Sequence, residues 1–234
     1  MPGKTIGILG GMGPEATADL FLKIIRSTPA HTDQEHLRVL IDSNPAIPDR
    51  TAAILGEGPD PVPLLVSTAR HLEEGGADLI VIPCNTAHYF YDSVQESVSI
   101  PVLHIMRETA AYLSERYPEV RTAGLLATTG TVRTGLYQGC LAEHALDTVV
   151  PDEAGQSVVM DCIYGERGVK AGHTGPEVTG RLVRVAAELI RRGAGVVIVG
   201  CTELPLVLHD GDLPVPVIDP TRVLAEAAVR AALA

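Results

Sequence analysis

"LIVIPCNTAH" (residues 79–88) runs a strand of buried type straight into a proline, a thiol and helix-starting polar residues, and "VVIVGCTELP" (196–205) repeats the arrangement. Unbroken Val, Ile and Leu suit a strand covered on both faces, as in a parallel sheet. The two cysteines, Cys84 and Cys201, stand 117 residues apart. The same offset of 117 links "TIGILGGMGPEAT" from Thr5 to "TAGLLATTGTVRT" from Thr122. "IPVLHIMRETAA" and "VPVIDPTRVLAE" then follow in each half at nearly that spacing. Landmarks repeating in one register make the chain read as two copies of one unit.

Outward from these stretches, apolar runs at 5–9, 37–42, 78–82, 101–105, 122–127, 196–199 and 215–218 predict strands. Between them, amphipathic patterns at 14–27, 61–75, 106–116, 131–145, 174–192 and 220–233 predict helices. Pro14 after Gly13 suits a first helical turn, and "EEGG" at 73–76 stops the helix before it. The alternation predicts an α/β fold: two pseudo-symmetric, doubly wound parallel-sheet domains with the active-site cleft between them. The expected halves are 1–117, carrying Cys84, and 118–234, carrying Cys201, with "RYPEVR" (116–121) at the boundary. The C-terminal helix is free to pack back on the first half.

Composition narrows the function. Hydrophobic residues are 46% and charged residues 20% of the 234, as in ordinary globular proteins. Eighteen Lys and Arg against 29 Asp and Glu give a net charge of −11, which repels nucleic acid and anionic membrane, although a local pocket can still attract a small anion. Trp is absent and aromatics are 3%, too few for a base-stacking surface. No apolar run is long enough for a membrane span, and "MPGKTIGILGG" meets its glycine loop too early for a secretory segment. The four cysteines, Cys84, Cys140, Cys162 and Cys201, include no Cys-x-x-Cys pair, so a cytoplasmic chain with free thiols is expected.

In an open parallel sheet, ligands bind beyond the carboxyl ends of the strands. Cys84 and Cys201 are expected at two such ends, with Asn85 and Thr86, then Thr202 and Glu203, beginning the following helices. A helix N-terminus favours thiolate. Two thiols on opposite sides of one carbon suit inversion of a centre bearing an acidic hydrogen, one removing the proton and the other returning one to the far face. The plainer alternative is that both cysteines are small core hydrophobes.

"GGMGPEAT" (10–17), "CNTAH" (84–88) and "GCTEL" (200–204) resemble the aspartate racemases of the Asp/Glu racemase superfamily, and the resemblance covers essentially the whole chain. Glutamate racemases usually open on an Asp-Ser-Gly loop and carry His after the second Cys-Thr, where this chain has Gly10-Gly11-Met12 and Glu203. The resemblance implies a cofactor-independent amino-acid racemase, without pyridoxal phosphate or metal, using Cys84 and Cys201 as its two bases. It makes Arg50 in "NPAIPDRT" (44–51) and Lys170 in "YGERGVKAG" (164–172) the cations for substrate carboxylates. A planar guanidinium suits that task. It also implies backbone N–H groups at Met12 and Gly13, hydroxyls from Thr129 and Thr131, and hydrogen bonds from Asn85, Thr86 and Thr202. Glu203 is expected to orient Cys201 or receive the substrate ammonium. Each has a plainer reading: helix capping for Asn85, Thr86 and Thr202, and solvated surface charge for Arg50, Lys170 and Glu203.

Cys140 and Cys162 fall in helical patterns without repeat partners and read as packing residues. His88, four residues after Cys84, reads as a supporting polar group. "GILGGMGPEA" lacks both nucleotide-loop patterns, G-x-G-x-x-G and Gly-Lys-Ser/Thr. Aspartate is the expected substrate, with glutamate, a wider amino-acid range, or a non-catalytic diacid-binding domain as alternatives. A symmetric homodimer is expected.

Overall fold

The structure, a computed structural model, describes residues 3–234. Five residues, Ile6–Gly10, form β1, and all five are buried. Beside β1 lie β2 (Val39–Ser43), β3 (Leu79–Val81) and β4 (Val102–Leu103), all parallel, in the order β2-β1-β3-β4. The second sheet holds β5 (Thr122–Leu126), β6 (Asp147–Val149), β7 (Val196–Val199) and β8 (Val217–Ile218), again parallel, in the order β6-β5-β7-β8. Two parallel four-stranded sheets with helices are thus the α/β class expected from the sequence.

The repeat is exact in register at the centre of each sheet. Adding 117 to the pairs Ile6↔Leu79, Gly7↔Ile80 and Ile8↔Val81 gives Ala123↔Val196, Gly124↔Val197 and Leu125↔Ile198, the pairs observed. One-residue slippage would turn every buried side chain to the wrong face, so this agreement fixes the orientation of both cysteine strands.

The helices are α1 (Pro14–Ser27), α2 (Arg50–Leu55), α3 (Val62–Glu74), α4 (Tyr91–Glu96) and α5 (Ile105–Arg116). They continue as α6 (Thr129–Thr134), α7 (Leu136–Ala142), α8 (Glu153–Tyr164), α9 (Pro176–Arg191) and α10 (Pro220–Leu233). α1 buries Ala16, Leu20 and Ile24, a stripe at steps of four, and starts with Pro14 behind an extended Gly13. α9 buries Val178, Leu182, Val185, Ala186 and Leu189 by the same rule. Each fully buried leucine in these stripes contributes roughly 1.5–3 kcal/mol.

Several elements differ from the sequence reading. The helix expected over 131–145 is two helices, because Gly135 adopts a left-handed conformation (φ 67°) that ends α6 and begins α7. β6 was not predicted. It is three residues long with one exposed, one half-buried and one buried position, so it carries no apolar run. α2 was not predicted, and α8 was given no bounds although the pattern around Cys162 reads as helical. Each starts on a capping aspartate: Asp49 accepts from the Ala52 N–H and Asp152 from the Gly155 N–H, both at 2.8 Å.

The chain divides into two compact units at Glu108/Thr109 and Pro220/Thr221, with Thr221–Ala234 joining the first. The sequence repeat puts the division at 117/118 instead. α5 continues as one helix through 108/109, and the C-terminal segment returns to the first unit, where the Lys4 N–H donates to the Ala232 carbonyl at 2.9 Å. Within each unit the core gathers around its own cysteine strand: Leu9, Ile80, Ile82 and Cys84 in the first, Leu126, Val197, Val199 and Cys201 in the second.

Candidate active site

In the first unit, the turn after β1 is shaped by contact with the turn after β2. Gly11 has φ +95°, and a Cβ there would fall 2.3–2.5 Å from the Asn44 backbone, so only glycine fits. The Gly11 N–H donates to Thr17 Oγ1 at 2.9 Å, and that hydroxyl donates to the Gly13 carbonyl at 3.0 Å. Met12 is buried, and its carbonyl accepts from Arg50 Nη2 at 3.3 Å. Arg50 Nη1 donates to the carbonyls of Ile47 and Pro48 at 3.2 and 3.0 Å. The buried guanidinium therefore ties the Met12 loop to the segment leading into α2.

Cys84 follows β3 by three residues and is 5% exposed. The polar residues behind it do not cap a helix. Asn85 is itself helical (φ −60°, ψ −47°) with no side-chain capping bond, and Thr86–Phe90 is a short 3-10 turn. His88 supplies the support instead. Its Nδ1 lies 2.9 Å from the Cys84 carbonyl, and its Nε2 accepts from the Ile105 N–H at 3.2 Å. A carbonyl can only accept, so His88 is the neutral tautomer with its proton on Nδ1. Burial pushes its pKa down to about 4, against which the backbone hydrogen bonds act only partly. His104 packs edge-on at 4.8 Å, and burial, followed by the charges of His88 and Arg107, lowers it to about 3.

In the second unit, Cys201 follows β7 by two residues and is 6% exposed. Gly200 lets the strand end close in, since a Cβ there would lie 2.6 Å from Leu125 Cδ1 and 3.1 Å from Tyr137 Cε2. The Cys201 thiol donates to Glu203 Oε2 at 3.0 Å, and Lys170 Nζ pairs with Glu203 Oε1 at 2.6 Å. Thr202 Oγ1 donates to the same carboxylate at 3.4 Å, and Lys170 lies 5.5 Å from the Tyr164 ring centre. Burial pushes the Cys201 thiol well above its ordinary range, the Glu203 carboxylate pushes it further, and the Lys170 ammonium opposes both. This reverses the expected effect of a helix start: only a three-residue 3-10 turn, Leu204–Leu206, follows, without a side-chain cap.

Thr129 and Thr131 occupy the turn after β5. Thr131 is fully buried, its hydroxyl 3.1 Å from that of Thr128 and its N–H donating to Thr128 Oγ1 at 3.2 Å. Thr129 is half-buried and held by α8: Gln156 Nε2 donates to its hydroxyl at 3.2 Å, and its N–H donates to Met160 Sδ at 3.2 Å. Sequence reasoning missed Gln156, Met160 and the His88–His104 pair, although Gln156 and Met160 stand four apart on one helix face.

The expected site residues thus fall into two groups, each at the carboxyl ends of its own sheet: Met12, Gly13, Arg50, Cys84, Asn85 and Thr86, and Thr129, Thr131, Lys170, Cys201, Thr202 and Glu203. Cys162 is buried in α8, in the same core cluster as Cys201, and Cys140 is half-buried in α7. Among the described residues no cluster of three His, Cys, Asp or Glu could hold a metal ion, and no helix is long and apolar enough to cross a membrane.

The chain is similar to known proteins over nearly its whole length. The broad specificity amino-acid racemase RacX of Bacillus subtilis is 29% identical over 98% of both chains. The structure of Picrophilus torridus aspartate racemase superposes with a TM-score of 0.87 at 32% identity, covering 98% of this chain and 94% of that one. An aspartate racemase homologue from Pyrococcus horikoshii OT3 gives a TM-score of 0.79 at 29% identity, covering 98% and 99%. Residues 9–228 match the Asp/Glu/Hydantoin racemase profile, nearly the whole chain, and the chain belongs to that family.

Proposed function

We propose that this amino-acid racemase interconverts L- and D-aspartate by exchanging the α-proton with Cys84 and Cys201, without pyridoxal phosphate. The observation that carries this reading is the matched presentation of the two thiols, each just past the third strand of a sheet, in strands whose registers agree residue for residue. Inversion at an α-carbon needs one group to accept a proton from one face and another to donate to the opposite face. Two thiols meet that need and return to their starting state by running in reverse. When Cys84 begins as thiolate, it takes the α-proton, the electron pair stays on carbon, and the Cys201 thiol delivers its proton to restore the C–H bond. Asn85, Thr86 and Thr202 donate to the developing charge.

Arg50 is the proposed carboxylate clamp of the first unit. Lys170, an ammonium paired with Glu203 beside Cys201, is that of the second. Thr129 adds its hydroxyl to the same carboxylate, and Thr131 supports the turn. Aspartate is favoured by the likeness to two structures titled aspartate racemase or its homologue. A wider range is the second reading, supported by the full-length similarity to a broad specificity racemase.

Incubation with L-aspartate in D2O, with no cofactor added, tests the proposal. Deuterium at the α-position together with the D-enantiomer is the expected result. Binding with neither outcome would identify a diacid-binding domain instead. Chiral chromatography across a panel of amino acids separates the narrow range from the broad one.

A further inference from the structure

The pair of loops that follow β1 and β5 carry Met12 and Thr129 at the same repeat position, and each is gripped by a side chain from the helix that follows its edge strand. In the first unit that side chain is Arg50, the first residue of α2, bonded to the Met12 carbonyl. In the second it is Gln156, in the first turn of α8, bonded to Thr129. We propose that Gln156 is the second unit's structural counterpart of Arg50 and a positioning residue for substrate binding: it sets the Thr129 hydroxyl as a hydrogen-bond donor to the substrate carboxylate. The proposal rests on the reading above that Thr129 meets that carboxylate.

The orientation of the amide follows from its partners. Gln156 Nε2 lies 3.0 Å from the Ala127 carbonyl, which can only accept, so the NH2 end faces the loop. The same nitrogen lies 3.2 Å from Thr129 Oγ1. Ala127 already occupies the other side of the NH2 group as an acceptor, so Thr129 receives its remaining hydrogen. A hydroxyl that accepts in this way turns its own proton outward. The Met160 sulfur meanwhile holds the Thr129 N–H, and the residue is constrained at both backbone and side chain. Gln156 Oε1 is buried with no hydrogen-bond partner among the described residues. Both hydrogen bonds of the amide are therefore made from its NH2 end, toward the loop.

The test uses four variants assayed with L-aspartate for KM and kcat, with melting temperature as control: Thr129→Val, Gln156→Leu, Gln156→Glu and the double Thr129→Val/Gln156→Leu. Thr129→Val is expected to raise KM about tenfold, the scale of one hydrogen bond to a charged group. Gln156→Leu should raise KM by a similar factor with kcat within about twofold, and the double variant should be no worse than Thr129→Val alone, since both remove one interaction. Gln156→Glu should raise KM most, because a carboxylate turns the hydroxyl inward and repels the substrate anion. It is nearly isosteric and serves if the leucine variant folds poorly. Wild-type KM in both Gln156 variants, with KM raised in Thr129→Val, overturns the proposal and leaves the Thr129 reading standing. Multiplying effects in the double variant overturn it too, as does a lowered melting temperature with kcat reduced and KM unchanged. An unchanged KM in Thr129→Val removes the Thr129 reading and the proposal with it, while wild-type racemisation separately tests the assigned activity.

Discussion

Cys84 and Cys201 hold matching places in matching sheets, yet the residues that follow them differ, most consequentially at two positions of the repeat. Thr86 corresponds to Glu203, and His88 to Pro205. The first thiol therefore sits on a backbone pinned by a neutral imidazole, whereas the second donates to a carboxylate that is itself paired with an ammonium. The repeat keeps the scaffold and changes the groups around each thiol. A two-base reaction needs its bases in opposite protonation states at any moment, and identical surroundings would not favour one assignment over the other. Under the proposed mechanism, burial and the Glu203 carboxylate, by raising the Cys201 pKa, break that tie toward Cys201 as thiol.

The strongest way to break the comparison is to remove each thiol in turn. Cys84→Ser and Cys201→Ser should each lower racemisation by about 10³-fold or more, since a hydroxyl cannot replace a thiolate at neutral pH and proton-transfer groups contribute 10²–10⁴-fold. The thiol left behind can still remove a proton from the face it serves and return deuterium from solvent there. Each variant should consequently exchange the α-proton of one enantiomer without inversion, and the two variants should choose opposite enantiomers. Near-wild-type racemisation in both would sink the two-thiol mechanism, and exchange of the same enantiomer by both would sink the division of faces. Mass spectrometry after chiral separation reads both results.

Glu203→Gln sharpens the contrast at one end. It removes a cause that raises the Cys201 pKa and leaves the Lys170 charge that lowers it, so the thiol becomes more acidic. Where turnover needs Cys201 protonated, the alkaline limb of kcat/KM moves to lower pH, and kcat falls by roughly 10–100-fold. An unmoved alkaline limb would show that the carboxylate only orients the thiol.

What could be read from the sequence tracks how locally each feature is encoded. α1 and α10 begin and end at the residues expected, because prolines at 14 and 220 start them and the apolar stripe runs to their ends. β7 matches the predicted 196–199 for the same reason, an unbroken apolar run. The edge strand β6 has no such run, and of α8 only the helical pattern around Cys162 was read, not the start that Pro151 and Asp152 announce. At the site, the cysteines were visible as a repeat, while the effect of Glu203 on Cys201 had the opposite sign to the helix-start expectation. Burial and a carboxylate at 3.0 Å outweigh whatever a single 3-10 turn supplies, and neither burial nor that distance can be read from residue order. Gln156 was invisible because its partner lies 27 residues away in the chain.

The gentlest probe acts at the other end of the comparison, on His88, and reads stability more than turnover. Its folded-state pKa of about 4 lies below the ordinary 6.5, so the unfolded chain takes up the proton first as pH falls. Stability is therefore full above about pH 6.5, declines between pH 6.5 and 4, and levels off below, a loss of about 3 kcal/mol from this residue. His104, lowered to about 3 by burial and by the neighbouring charges, adds a loss of the same sign. Pro205, at the matching place in the second unit, cannot titrate, so this source of acid sensitivity belongs to the first unit alone. His88→Gln keeps a donor for the Cys84 carbonyl and removes the titration. It should reduce the fall in urea stability between pH 7 and 4 by about 3 kcal/mol while changing kcat only a few-fold. Without tryptophan to report unfolding, far-ultraviolet circular dichroism is the measurement, and an acid dependence identical to wild type would mean that His88 is not the buried neutral group that holds the Cys84 backbone in place.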